Sequence, residues 1–105
     1  MADLILIVDD DESVRTTLYK VVRSNGLEAE MASSGEQALE LTGKTHYDLI
    51  LLDVNMHGMD GFTVVQKLRG RGIKSPIIIF IMKGLKVNHF YFYPNIQVPY
   101  FVTIL

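Results

Sequence analysis

An α/β fold, a parallel sheet doubly wound with helices on both faces, is predicted by three features of the sequence. Two unbroken apolar runs, Leu4-Ile5-Leu6-Ile7-Val8 and Leu49-Ile50-Leu51-Leu52, are too short for buried helices and typical of strands covered on both faces. Each runs straight into acid, Asp9-Asp10-Asp11 after the first and Asp53 after the second. Strand-like and helix-like segments then alternate along the chain, which implies parallel pairing with right-handed crossovers.

In chain order, Leu4 to Val8 is a central strand. Val14, Leu18, Val21 and Val22 recur at helical spacing up to Asn25-Gly26, a left-handed stop. Leu27, Ala29 and Met31 alternate with Glu28 and Glu30, which suits a strand wet on one face at a sheet edge. Ser33-x-x-Glu36 has capping-box spacing and opens a helix through Ala38, Leu39 and Leu41 to about Gly43. After the strand ending at Asp53, the loop Val54 to Gly61 leads into a helix with Phe62, Val65 and Leu68 inward, closing at Gly70 or Gly72. Pro76 to Ile81 reads as a fourth buried strand.

At 105 residues, 49% hydrophobic and 21% charged, the chain has the size of one domain with one core, spanning residues 1–105. Zero cysteines excludes a disulfide scaffold, a thiolate metal site and a cysteine nucleophile. No apolar run approaches the roughly 18–20 residues that span a bilayer, and no basic stretch precedes the first apolar run. The expectation is a cytoplasmic protein with no membrane association. The net charge of −2 divides unevenly: all twelve acids lie in residues 1–60, and six Lys/Arg with no acid lie in residues 61–105. A basic end can suggest nucleic acid, but Lys67, Arg69, Arg71 and Lys74 surround one helix end, where the helix dipole favours cations. No direct nucleic-acid contact is expected.

In an open parallel sheet, ligands gather beyond the carboxyl ends of the strands where strand order reverses. If the first and third strands are neighbours, Asp9, Asp10 and Asp53 converge there. Two carboxylates about 4 Å apart repel by roughly 4 kcal/mol at an effective dielectric of 20. A raised pKa on one acid relieves this repulsion, but a hard divalent cation does so better, and an oxygen-only donor set selects magnesium (Mg2+) or manganese (Mn2+) over zinc. A carboxylate beside such an ion can attack a phosphoryl group and form an acyl phosphate. Asp11, Glu12 and Asp60 need no site to explain them, since acids near helix starts are ordinary caps. His57 reads as an exposed loop residue, and Met56 and Met59 as packing groups.

The stretches Leu4 to Asp11, Asp48 to Asp53, and Asp53-Val54-Asn55-Met56-His57-Gly58-Met59-Asp60-Gly61 resemble the receiver domain of two-component response regulators, over about residues 3–79. The resemblance implies a flavodoxin-like doubly wound parallel sheet in the order 2-1-3-4, with an atypical or exchanged fifth strand left open. It makes Asp53 the phosphoacceptor. Asp10 and Asp53 bind Mg2+ directly, Asp9 acts mostly through water, and the Asn55 backbone carbonyl completes the protein ligands. It implies a sensor histidine kinase or phosphotransfer protein as donor and a downstream effector protein as target. The module would at most promote its own phosphorylation and dephosphorylation.

The chain departs from the family pattern at three places. His57 stands where proline is usual, Phe80-Ile81-Met82 stands where a Ser or Thr closes the fourth strand, and no Lys-Pro pair is present, with Lys83 and Lys86 the nearest lysines. Residues 80–105 hold seven of the ten aromatics and two charges, an atypical ending in which Leu85 to Tyr93 and Ile96 to Leu105 resemble strands around a Pro94-Asn95 turn. A divergent ending, strand exchange between chains, and a truncated or frame-shifted product each account for this composition, and an apolar edge of this kind suggests a homo-oligomer. No residues remain for an attached output domain, so output is expected to pass through another protein. Two further functions are weighed: a degenerate, non-switching interaction module, and a haloacid-dehalogenase-type phosphatase suggested by Asp9-x-Asp11.

Overall fold

The computed structural model describes residues 3–81, 90–91 and 100–104. The strands are β1 (Leu4–Val8), β2 (Glu28–Ala32), β3 (Leu49–Asp53), β4 (Ile77–Ile81), β5 (Phe90–Tyr91) and β6 (Tyr100–Ile104). The helices are α1 (Glu12–Ser24), α2 (Gly35–Thr42) and α3 (Gly61–Gly70). The sheet order is β2-β1-β3-β4-β6-β5, with β5 alone antiparallel to its neighbour. The expected 2-1-3-4 core is present, and β6 of the same chain occupies the fifth parallel position beside β4. The Pro94-Asn95 turn, Met82, Lys83 and Lys86 lie outside the described residues. Among the described residues, no helix is long and apolar enough to cross a membrane.

The unbroken apolar runs are explained by burial on both faces. Leu6, Val8, Ile50, Leu52, Ile77 and Ile79 point into one core with Ala38, Leu39, Val64, Val65 and Leu68 of α2 and α3. Ile5 and Ile7 point the other way, with Leu49 and Leu51 beside them, and pack under Val22, Leu18 and Tyr19 of α1. Alternation along the strand therefore divides one hydrophobic run between two layers.

Three local expectations shift by a residue or a face. Val21 is 52% exposed and Tyr19 takes its place in the core, because the inward stripe of α1 centres on Leu18, Tyr19 and Val22 and leaves Val21 on the rim. Met31 is also exposed, since β2 is the edge strand and has no neighbour on its outer side. The cap of α2 is Ser34, whose hydroxyl accepts from the Gln37 N–H at 3.1 Å, while Gln37 Oε1 reaches back to the Ser33 N–H at 2.7 Å. The cap thus sits one residue later than Ser33, and the side chain that reaches back bonds the residue before the cap rather than the N–H of the cap itself. Asp11 and Asp60 cap α1 and α3 as expected.

Candidate metal centre

The register of the central strands brings the acids together. Val8 of β1 lies opposite Leu52 of β3, so the next residue on each strand, Asp9 and Asp53, emerges at the same carboxyl edge. The chain runs from β1 outward to β2 and then returns to β3 on the far side, which makes the β1–β3 boundary the point where strand order reverses. The Asp9 N–H donates to the Ala32 carbonyl at 3.1 Å and the Val54 N–H to the Phe80 carbonyl at 3.0 Å, fixing both strand ends to their neighbours. Asp9, Asp10 and Asp53 each place a carboxylate oxygen within 4.8 Å of the others.

The three carboxylates have different surroundings. Asp9 is 1% exposed; its Oδ1 accepts from the Asp11 N–H at 2.9 Å, and its Oδ2 is buried with no hydrogen-bond partner. Burial pushes the Asp9 carboxyl up to about 6; the Asp11 amide opposes the rise, and the charges of Asp53, Asp10 and Asp11 add to it. Asp10, only partly buried, is held below the usual carboxylate value chiefly by the His57 backbone N–H, which outweighs the desolvation cost, with the His57 ring adding to the lowering. Both donors reach the same oxygen: the His57 N–H lies 2.8 Å and Nδ1 2.7 Å from Asp10 Oδ2. Asp53 is buried, and its Oδ1 accepts from the Asn55 N–H at 3.2 Å.

All three acids singled out from the sequence are therefore in one cluster. Asp11 is not: its carboxylate caps α1, accepting from the N–H groups of Ser13 and Val14 at 2.9 and 3.2 Å. Asn55 is exposed and is tied to the cluster through its N–H. Met56 is buried in the α2–α3 core and Met59 packs against it, as expected of packing groups. His57 is exposed, yet it is also bonded to Asp10, which its loop position alone does not reveal. Arg15 was not singled out either; its Nη1 donates to the Asp9 carbonyl at 2.8 Å and ties α1 to the first acidic turn. An Arg one turn into the helix after an acidic run is the signal that points to such a tie.

An orphaned, buried carboxylate oxygen beside two further carboxylates is the arrangement a cation resolves, since an unpaired buried charge is otherwise costly. Every side-chain donor in the cluster is oxygen, which suits a hard divalent ion rather than a soft one. The residues present fit Mg2+ on both counts.

A response regulator receiver domain model matches residues 5–89. The response regulator MprA of Mycobacterium tuberculosis is 39% identical over 79 residues, covering 75% of this chain and 34% of that protein. MprA of Mycolicibacterium vanbaalenii is 40% identical over 75 residues, covering 71% of this chain and 32% of that protein. The chain thus spans about a third of the length of the curated relatives it matches. Among solved structures, the Vibrio cholerae chemotaxis response regulator CheY4 superposes with a TM-score of 0.75 at 31% identity, covering 81% of this chain and 72% of that one. The Thermotoga maritima response regulator TrrA, solved in complex with Mg2+-BeF, gives 0.73 at 32% identity, with 78% and 71% covered. The sheet order, the acidic cluster at its switch point and these likenesses agree: the chain belongs to the response regulator receiver domain family.

Proposed function

We propose that this protein is a phosphoacceptor in two-component signalling, with Asp53 taking a phosphoryl group from a phosphohistidine on a sensor histidine kinase or phosphotransfer protein. The observation that carries the reading is the convergence of Asp53 with Asp9 and Asp10 at the carboxyl edge of the sheet, one of their oxygens buried and unpartnered. Asp9, Asp10, Asp53 and the Asn55 backbone carbonyl would hold Mg2+, with Mn2+ a possible substitute; TrrA, a relative in fold, was solved with Mg2+-BeF. When bound, the cation supplies charge neutralisation for the phosphoryl oxygens and for the crowded carboxylates.

The chain's own contribution is placement. A carboxylate oxygen of Asp53 attacks phosphorus, the P–N bond to the donor imidazole breaks, and the imidazole leaves with the electron pair and takes up a proton. The Asn55 N–H, bonded to Asp53 Oδ1, fixes the orientation of the nucleophile. The Asp11 N–H and the Arg15 guanidinium hold Asp9 beside it. Output passes to a downstream effector protein, in a cytoplasmic setting.

One observation favours a second reading, a degenerate receiver that acts as a non-switching protein-interaction module. Asp53 lies opposite Phe80, which is buried, and Ile81 ends β4, so this strand end offers no hydroxyl to a phosphoryl group. A phosphatase of the haloacid-dehalogenase type is disfavoured, because the Asp11 carboxylate is engaged in capping α1.

The test is intact-mass spectrometry after incubation with a small phosphodonor and Mg2+. One phosphoryl group, removed by hydroxylamine and absent from Asp53→Asn, is the expected result. A label that persists on Asp53→Asn contradicts the assignment. Amide-exchange protection with a phosphate mimic then separates the two readings: changes reaching beyond the acidic cluster mark a switch, and changes confined to it mark the non-switching form.

A further inference from the structure

We propose that His57 sets the cation selectivity of the acidic centre, by locking one oxygen of Asp10 so that this carboxylate offers a cation only its other oxygen. The inference rests on reading the Asp9, Asp10 and Asp53 cluster as a divalent-cation site and adds to it a role for a residue outside the cluster.

The geometry is specific. Two donors from one residue, the His57 N–H and ring Nδ1, converge on the single atom Asp10 Oδ2 at 2.8 and 2.7 Å, joining positions 47 residues apart in sequence. The neutral ring protonated at Nδ1 suffices for the second bond. Its ring is fully exposed, so these bonds rather than packing hold its side chain in place. His57 is not itself in the cluster: among the described residues, the group within 4.8 Å consists of the three aspartates. Its action is on Asp10, as a positioning residue.

The consequence follows from how the two common hard cations bind oxygen. Ca2+ takes six to eight oxygens and accepts carboxylates in bidentate fashion, whereas Mg2+ requires a compact octahedron and accepts them one oxygen at a time. A carboxylate with one oxygen held by two donors is a good Mg2+ ligand and a poor bidentate Ca2+ ligand. Hydrogen bonds to ligating carboxylates also orient them before the cation arrives.

Calorimetric titration of the full chain with Mg2+ and with Ca2+ tests this, on the wild type and three variants. His57→Ala keeps the backbone donor, His57→Pro removes both donors, and His57→Asn restores a side-chain N–H near the position of Nδ1. Because the ring is exposed, the Ala and Asn substitutions leave the core intact. The preference for Mg2+ over Ca2+ is expected to fall roughly tenfold in His57→Pro, by less in His57→Ala, and to stay within about twofold of wild type in His57→Asn. An unchanged or increased preference in the Ala and Pro variants, with the wild type binding Mg2+, overturns the role of His57 and leaves the metal centre standing. An Asn variant as relaxed as the Ala variant overturns it as well. A wild type that binds neither cation overturns the metal centre, and this inference with it.

Discussion

Gly61, the first residue of α3, lies directly against Val54: a Cβ built on it would stand 2.7 Å from Val54 Cα and 2.8 Å from the Asp53 carbonyl oxygen. Its N–H donates to the Val54 carbonyl at 3.0 Å. Backbone packed this closely cannot yield as the end of a flexible side chain can, so the start of α3 is clamped to the strand end that carries Asp53. Gly61→Ala is expected to destabilise the protein by about 1–3 kcal/mol through overpacking. It should also weaken Mg2+ binding by displacing Asp53. Urea denaturation and a Mg2+ titration check both effects; a midpoint equal to that of the wild type contradicts the clamp.

The Asp9 carboxyl gives the metal-free protein a defined pH dependence. Its folded-state value, about 6, lies above the ordinary 3.8, so the native state favours the protonated form. The stability it contributes is complete below the ordinary value and is lost as pH rises through the folded-state value. In chelator-treated protein, Asp9→Asn should therefore gain on the wild type as pH rises through about 6, reaching about 0.5–2 kcal/mol of added stability near neutrality, with metal binding as the cost. Mg2+ binding to the wild type should weaken as pH falls through the same range, because protons compete for the ligand. Thermal unfolding of both proteins against pH, with and without Mg2+, reads these changes; a stability difference independent of pH contradicts them.

Asp11 separates capping from metal binding. Its carboxylate accepts the N–H groups of Ser13 and Val14, while its own N–H donates to Asp9 Oδ1. Asp11→Ala removes the cap and retains the amide, so it should cost about 1 kcal/mol of stability and leave phosphorylation of Asp53 in place. Loss of phosphorylation in a folded Asp11→Ala protein would return Asp11 to the chemistry.

Leu52 precedes Asp53 on β3 and is fully buried in the α2–α3 core. Leu52→Ala is expected to cost about 2–5 kcal/mol, measured by chemical denaturation. A cost within 0.5 kcal/mol, the range of ordinary surface substitutions, contradicts the placement of that residue in the core.

Much of the acidic centre was legible in the sequence because its geometry follows from strand register. Two buried runs, each ending in acid, lead to adjacent parallel strands, and parallel register brings Asp9 and Asp53 to the same edge. The helix caps at Asp11 and Asp60 were legible for a similarly local reason. What escaped depends on finer or longer-range geometry. Val21 and Tyr19 exchange places because small rotations of the α1 stripe decide which rim residue enters the core. The α2 cap moves by one residue because Ser33 and Ser34 both suit the position and Gln37 can reach back over the helix start as Glu36 can. The bond from His57 to Asp10 depends on the path of the loop after β3, which no periodicity encodes. The ending was legible in part: β6 continues the parallel sheet beside β4, and β5 pairs with it as an antiparallel edge.

The most direct measurement of the central claim is a Mg2+ titration of the full chain followed by backbone amide resonances. The account predicts a single saturable transition in which the amides of Asp9 to Asp11 and of Asp53 to His57 shift together with one dissociation constant. Shifts confined to one of these two segments, or no saturation in either, would contradict it.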